Sequence, residues 1–173
     1  MSLVEPKDAP QIPGMASPSE LYWVLKVPAP LAGMRYPRPD VPWANLAAAG
    51  FRCVVSLHPA TYDPNPLVQI FSAHLEDLCH GREPREPAKE TRLIAEAAET
   101  VVEALRSGEG VVVHRVGGRG RTGSVIGCVL RRLGYDAGEV VPYLDRVHKC
   151  RGKDGWPESP WQAALVEKEA VDD

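Results

Sequence analysis

GVVVH (Gly110–His114) runs without a break into RVGGRGRTG (residues 115–123), and the pair frames everything around it. A short, wholly apolar and β-branched run belongs in the middle of a sheet covered on both faces. Beyond the glycine loop, Val125, Ile126, Val129, Leu130 and Leu133 recur at helical spacing as far as Gly134. Strand, tight loop and helix together aim successive backbone N–H groups and a helix N-terminus at one centre, which makes an anion-binding nest. Arg121 adds a planar fork suited to phosphate or sulfate. Arg115, Arg119 and Arg121 crowd this loop with no acid among them, an arrangement that costs energy unless an anion relieves it.

Working outward, Pro87 opens a helix whose Leu93, Ile94, Ala97, Ala98, Val101, Val102 and Leu105 form a core stripe that ends at Gly108. RCVVSL (residues 52–57) reads as a buried strand, and LYWVL (Leu21–Leu25) as another. Between them, residues 28–42 are too proline-rich for regular structure, and Asp40 is placed to cap a short helix through WANLAAA that stops at Gly50. SAHLEDL (residues 72–78) predicts a short strand leading into the loop CHGREPREP. Downstream, Asp136 caps a helix that Pro142 should kink, and Ser159, Pro160 and Gln162 form a capping-box start for the last helix. The alternation gives an α/β fold with a central, mostly parallel sheet flanked by helices. Residues 1–20 read as a flexible Pro-rich arm and residues 21–173 as a single domain.

The 173 residues are 44% hydrophobic and 25% charged with a net charge of -3, which suits one soluble domain and argues against nucleic acid as a partner. No apolar run approaches the roughly 20 residues that span a bilayer, so no membrane partner is expected and the default location is cytoplasmic. Cys53, Cys79, Cys128 and Cys150 are scattered without metal-ligand spacing, so they read as free thiols, with no metal and no cofactor expected.

Other loop motifs fit less well. Gly118, Gly120 and Gly123 satisfy G-x-G-x-x-G, but the acid about 20 positions on, Asp145, lies in a predicted helix rather than after a strand. A Walker loop needs Gly-Lys-[Ser/Thr], and the chain has Gly120-Arg121-Thr122, with Arg115 where the earlier glycine would stand.

His114-x-x-x-Gly118-x-x-Arg121-Thr122-Gly123 after a short apolar strand resembles the signature of the cysteine-dependent protein tyrosine phosphatase superfamily, H-C-x-x-G-x-x-R-[ST]-G. Residues 23–38, 50–59, the stretch HLEDLCHGREP and ESPWQ (residues 158–162) are similar to segments of its small atypical dual-specificity members. The resemblance implies a dual-specificity phosphatase fold and a phosphate site made by Val116, Gly117, Gly118, Arg119, Gly120, Arg121 and Thr122. It implies that His114 braces the loop and that Asp77 stands at the general acid's place, with Glu76 a close competitor. It also puts Arg115 at the position of the nucleophilic cysteine. A guanidinium has no lone pair to offer phosphorus, so the covalent route through a thiolate cannot run there. Neither Cys79 nor Cys150 is delivered by sequence to the loop's floor. Without a thiolate to stabilise, Thr122 is left as a helix cap or a phosphate ligand, and Arg115 can turn inward, fold away or fill the site. The leading expectation is an inactive phosphatase-like domain that binds a phosphorylated protein or a small phosphate or sulfate anion. The alternatives are an active tyrosine or dual-specificity phosphatase whose cysteine is substituted at 115 in this chain, and an interaction scaffold whose partner docks on the Pro-rich arm.

Overall fold

The computed structural model describes residues 2–117 and 119–172; Gly118, one of the expected phosphate-loop residues, lies outside them. Five strands form one sheet in the order β1-β2-β5-β3-β4. The apolar run Gly110–His114 is β5, fully buried and central as its composition requires. It lies parallel to β2 (Leu31–Met34) on one side and to β3 (Phe51–Ser56) on the other. β4 (Val68–Ser72) continues the parallel set, and β1 (Leu21–Leu25) closes the opposite edge antiparallel to β2.

Alternation along β5 separates two cores. Val111 and Val113 face one layer built with α2 (Pro87–Arg106), α3 (Gly120–Arg132), α4 (Ala137–Cys150) and α5 (Pro160–Lys168). Val112 faces a smaller layer with α1 (Trp43–Ala48). In the larger layer α3 packs against α2, α4 and α5, so the helix that starts at the loop is held from three sides. Val125, Ile126, Val129 and Leu130 are each fully buried, worth about 1.5–3 kcal/mol apiece.

Several expectations need correcting. Residues 2–20 are not a free arm: Val4, Ile12 and Met15 are buried in the smaller layer or its edge, the Val4 N–H donates to the Val24 carbonyl at 2.9 Å, and Tyr143 Oη donates to the Val4 carbonyl at 2.6 Å. Three spaced apolar residues were enough to dock a segment whose composition looked disordered. The Pro-rich stretch contains β2, because its prolines flank rather than interrupt Leu31–Met34 and the small Gly33 lets the Tyr22 ring lie across it. Asp40 does not cap α1; its carboxylate accepts from Arg38 at 2.6 Å, and Pro42 holds the N-cap position. The strand expected at residues 72–78 lies earlier, at Val68–Ser72, with its end at the expected start. Helix α4 continues through Pro142 as one element, capped by Asp136 through the Gly138 N–H at 3.0 Å. The capping box of α5 is present, with Ser159 and Gln162 in their expected roles.

Candidate anion site at the strand-to-helix loop

β5 delivers His114 as its last residue and α3 begins at Gly120, so residues 115–119 must turn the chain through the loop. His114 is fully buried, and its Nε2 hydrogen-bonds Tyr62 Oη. Tyr36 meets the same imidazole edge-on at 5.5 Å, while its backbone N–H donates to the Val116 carbonyl at 3.2 Å. Burial, and secondarily the charge of His58, pulls the His114 pKa down to about 4, so the ring is neutral at pH 7. His114 thus ties the loop's first turn to two tyrosines.

The three arginines diverge. Arg115 lies inward with its side chain 16% exposed, its Nη2 3.6 Å from Asp77 Oδ2. Arg121 is buried; its Nη1 donates to the Leu75 carbonyl at 2.8 Å, and its Nη2 lies 3.7 Å from the same Asp77 oxygen. Burial lowers the Arg115 pKa while Asp77, Glu158 and Cys79 oppose the shift, yet a guanidinium stays charged at any working pH. Arg119 turns the other way, donating from Nε to the Gly155 carbonyl at 2.7 Å and lying 3.9 Å from Glu158 Oε1. Two guanidiniums therefore converge on one carboxylate, and the third is tied into the chain behind the loop.

Asp77 and Glu76 separate cleanly. Both Glu76 oxygens accept backbone N–H groups, from Arg85 at 2.8 Å and Glu86 at 3.1 Å, which hold its pKa below the ordinary carboxylate value. Glu76 closes its own loop, whereas Asp77 reaches the arginines. Asp77 Oδ1 accepts the Cys79 N–H at 3.1 Å, a local turn that leaves Oδ2 directed at Arg115 and Arg121. Thr122 lies inside α3 and does not cap it, since Arg119 holds that position; its Oγ1 is buried with no hydrogen-bond partner among the described residues. All four cysteines are free, and Cys150 is exposed at the end of α4. Among the described residues no group of three or more His, Cys, Asp or Glu is arranged to hold a metal, and no helix is long and apolar enough to cross a membrane.

The supports behind the loop were missed as single residues. Arg151 is buried and donates to the carbonyls of Pro18 at 2.9 Å, Ser19 at 3.1 Å and Gly117 at 3.2 Å, with its guanidinium 4.6 Å over the Tyr22 ring. Nothing in the sequence distinguishes it from neighbouring Lys149 and Lys153. Trp156 Nε1 donates to the Gly120 carbonyl at 3.3 Å, and Glu158 Oε1 accepts the Gly120 N–H at 2.9 Å. Gly123 is required by that packing, because a Cβ there would stand 2.3 Å from Trp156 Nε1.

A central strand, a basic glycine loop and a buried helix with an arginine at its first turn define a dual-specificity-type phosphatase domain. The family described as Swiss Army Knife protein, DSP-PTPase phosphatase domain, matches residues 18–153, and the chain belongs to it. Among solved structures it resembles human tyrosine phosphatase-like serine/threonine/tyrosine-interacting protein (13% identity, 80% of this chain and 89% of that one, TM-score 0.59). It also resembles TpbA of P. aeruginosa, a cysteine-to-serine form in complex with pTyr (17% identity, 89% and 92% covered, TM-score 0.57). A third is the core catalytic domain of the PP-IP phosphatase SIW14 from S. cerevisiae in complex with citrate (14% identity, 80% of each chain, TM-score 0.56). Likeness at these identities speaks for the fold.

Proposed function

We propose that this domain binds a phosphorylated protein or a small phosphate or sulfate anion at the loop and does not hydrolyse it through a covalent enzyme intermediate. The observation that carries this reading is the Arg115 guanidinium, inward beside Arg121 and sharing Asp77 with it, directly after the last residue of β5. A permanently protonated group there adds positive charge for an oxyanion and removes the lone pair that nucleophilic attack needs. Val116, Gly117 and Thr122 form the rest of the proposed site with His114 as its brace, whereas Arg119 and Gly120, expected among the phosphate ligands, have their side chain and N–H held behind the loop by the Gly155 carbonyl and Glu158. The pTyr and citrate in the TpbA and SIW14 structures support an anionic ligand class for domains of this shape.

The test is turnover of p-nitrophenyl phosphate. The protein is expected to show none above an Arg121→Ala control, and turnover above that control overturns the reading. Asp77 beside Arg121 favours a second possibility, that the remaining machinery is competent and only the nucleophile is missing; Arg115→Cys is the variant that checks it, by gaining activity. The scaffold alternative has lost the free arm it was drawn on, because Val4, Ile12 and Met15 are buried.

A further inference from the structure

The loop's charge is answered by two carboxylates that come from outside it, and they are held very differently. Glu158 is 16% exposed at its side chain, accepts the Gly120 N–H and lies beside Arg119. Its own N–H is fixed by Gln162 Oε1 at 2.9 Å. Asp77 is 53% exposed, sits at the mouth, and places one oxygen within 4 Å of two guanidiniums that are 16% and 6% exposed. The asymmetry matters. Asp77 loses little by swinging into water, whereas buried guanidiniums without a counter-charge are costly. Arg121 Nη2 and Arg115 Nε, moreover, have no hydrogen-bond partner among the described residues, so the carboxylate meets the charge of these arginines without satisfying their donors.

We propose that Asp77 is a displaceable internal ligand of this site, a tethered carboxylate that any incoming oxyanion must expel from Arg115 and Arg121 and that lowers the affinity of all of them by a common factor. This rests on reading the loop as an anion site. A monoanion and a dianion alike must compete with a carboxylate tethered in the same chain. A dianion brings a second charge to the pair Arg115 and Arg121, together with enough oxygens to reach both forks. Glu158 stays in place through the exchange, because its carboxylate serves Gly120 and Arg119 rather than the mouth.

Methyl phosphate and methyl sulfate test this at pH 8, where they share a shape but carry two charges and one. By calorimetry the chain is expected to bind methyl phosphate at least about tenfold more tightly. In Asp77→Asn both ligands should bind at least about threefold more tightly and by a similar factor, because the internal competitor is gone; Asp77→Ala, run in parallel, should do the same and guards against a local folding defect in either variant. Unchanged or weaker binding of both ligands in both variants overturns the proposal while leaving the anion site standing. Binding by the variants but not by the parent chain supports Asp77 as the internal ligand and removes the anion-binding function proposed for the parent chain. Absence of binding in all three proteins overturns both.

Discussion

The loop has a back and a front, and the two are built by opposite rules. Behind it, Arg151 fixes the Gly117 carbonyl, Trp156 the Gly120 carbonyl and Glu158 the Gly120 N–H, all through direct hydrogen bonds from buried or mostly buried side chains. In front, Arg115 Nε, Arg121 Nη2 and Thr122 Oγ1 are buried polar atoms with no hydrogen-bond partner among the described residues. Folding free energy is concentrated where polar groups are satisfied, and binding capacity where they are left over.

The largest expected effect lies at the back. Arg151→Ala orphans several buried acceptors at once and removes the guanidinium from the Tyr22 face, so the cost should be about 3–5 kcal/mol. Thermal melting should fall by roughly 10 °C, with anion affinity lost alongside. Arg151→Lys should recover less than half of the stability, because an ammonium cannot reproduce the fork. If Arg151→Ala melts like the parent chain, the back does not hold the loop and the contrast fails.

The sequence revealed the front far better than the back. β5, the glycine loop, α2, α3 and the capping box are local signals: apolar runs, glycines, a proline at a helix start, and Ser159 three positions before Gln162. Arg121 could be singled out because the loop pattern marks its spacing, and Asp77 because the stretch HLEDLCHGREP resembles a segment of family members. Arg151 could not, since its function is created by carbonyls of residues 18, 19 and 117, far away in the chain. The same holds for residues 2–20, where burial of Val4, Ile12 and Met15 depends on a surface that only the folded sheet provides, and for β2, whose place between β1 and β5 outweighs the prolines around it.

Acid should reach both sides through two histidines. His114, in front, has its pKa lowered to about 4 by burial and then by His58; His148, behind, is lowered to about 3 by burial and then chiefly by Arg151. Both are depressed below an ordinary value of about 6.5, so the native state holds them neutral. Their stabilising contribution is complete above that pH and is lost progressively as pH falls from about 6.5 toward the native values, because the unfolded chain takes up protons first. Chemical denaturation at pH 7 and pH 4.5 should differ by an amount of order 2 kcal/mol from each of these two groups. His114→Gln should reduce the slope of stability against pH in this window by about half, whatever its effect on absolute stability. An unaltered slope would show that His114 is not held neutral by the fold.

A smaller change probes the seam between α3 and the back. Gly123→Ala places a methyl 2.3 Å from Trp156 Nε1, and overpacking of this kind costs about 1–3 kcal/mol. Because the strain is shared with one neighbour, Gly123→Ala and Trp156→Phe should be strongly non-additive in denaturant melts, the Phe background absorbing part of the cost of Ala. Simple additivity would mean that the helix start shifts instead of the indole.

The smallest effect divides the two sides most finely. Ser159 Oγ accepts the Trp161 N–H at 3.3 Å as the cap of α5, and Ser159→Ala should cost about 1 kcal/mol, a fall of roughly 2–4 °C in melting temperature. The neighbouring Glu158 keeps its own backbone bond to Gln162 Oε1 and its carboxylate bond to Gly120. Sulfate affinity should therefore move by less than about fivefold, since a change below 1 kcal/mol is all that a loosened helix start can pass on. A tenfold change in affinity with the same small loss of stability would mean that the back tunes the front, and the division between a supporting face and a binding face would have to be redrawn with Glu158 on the binding side.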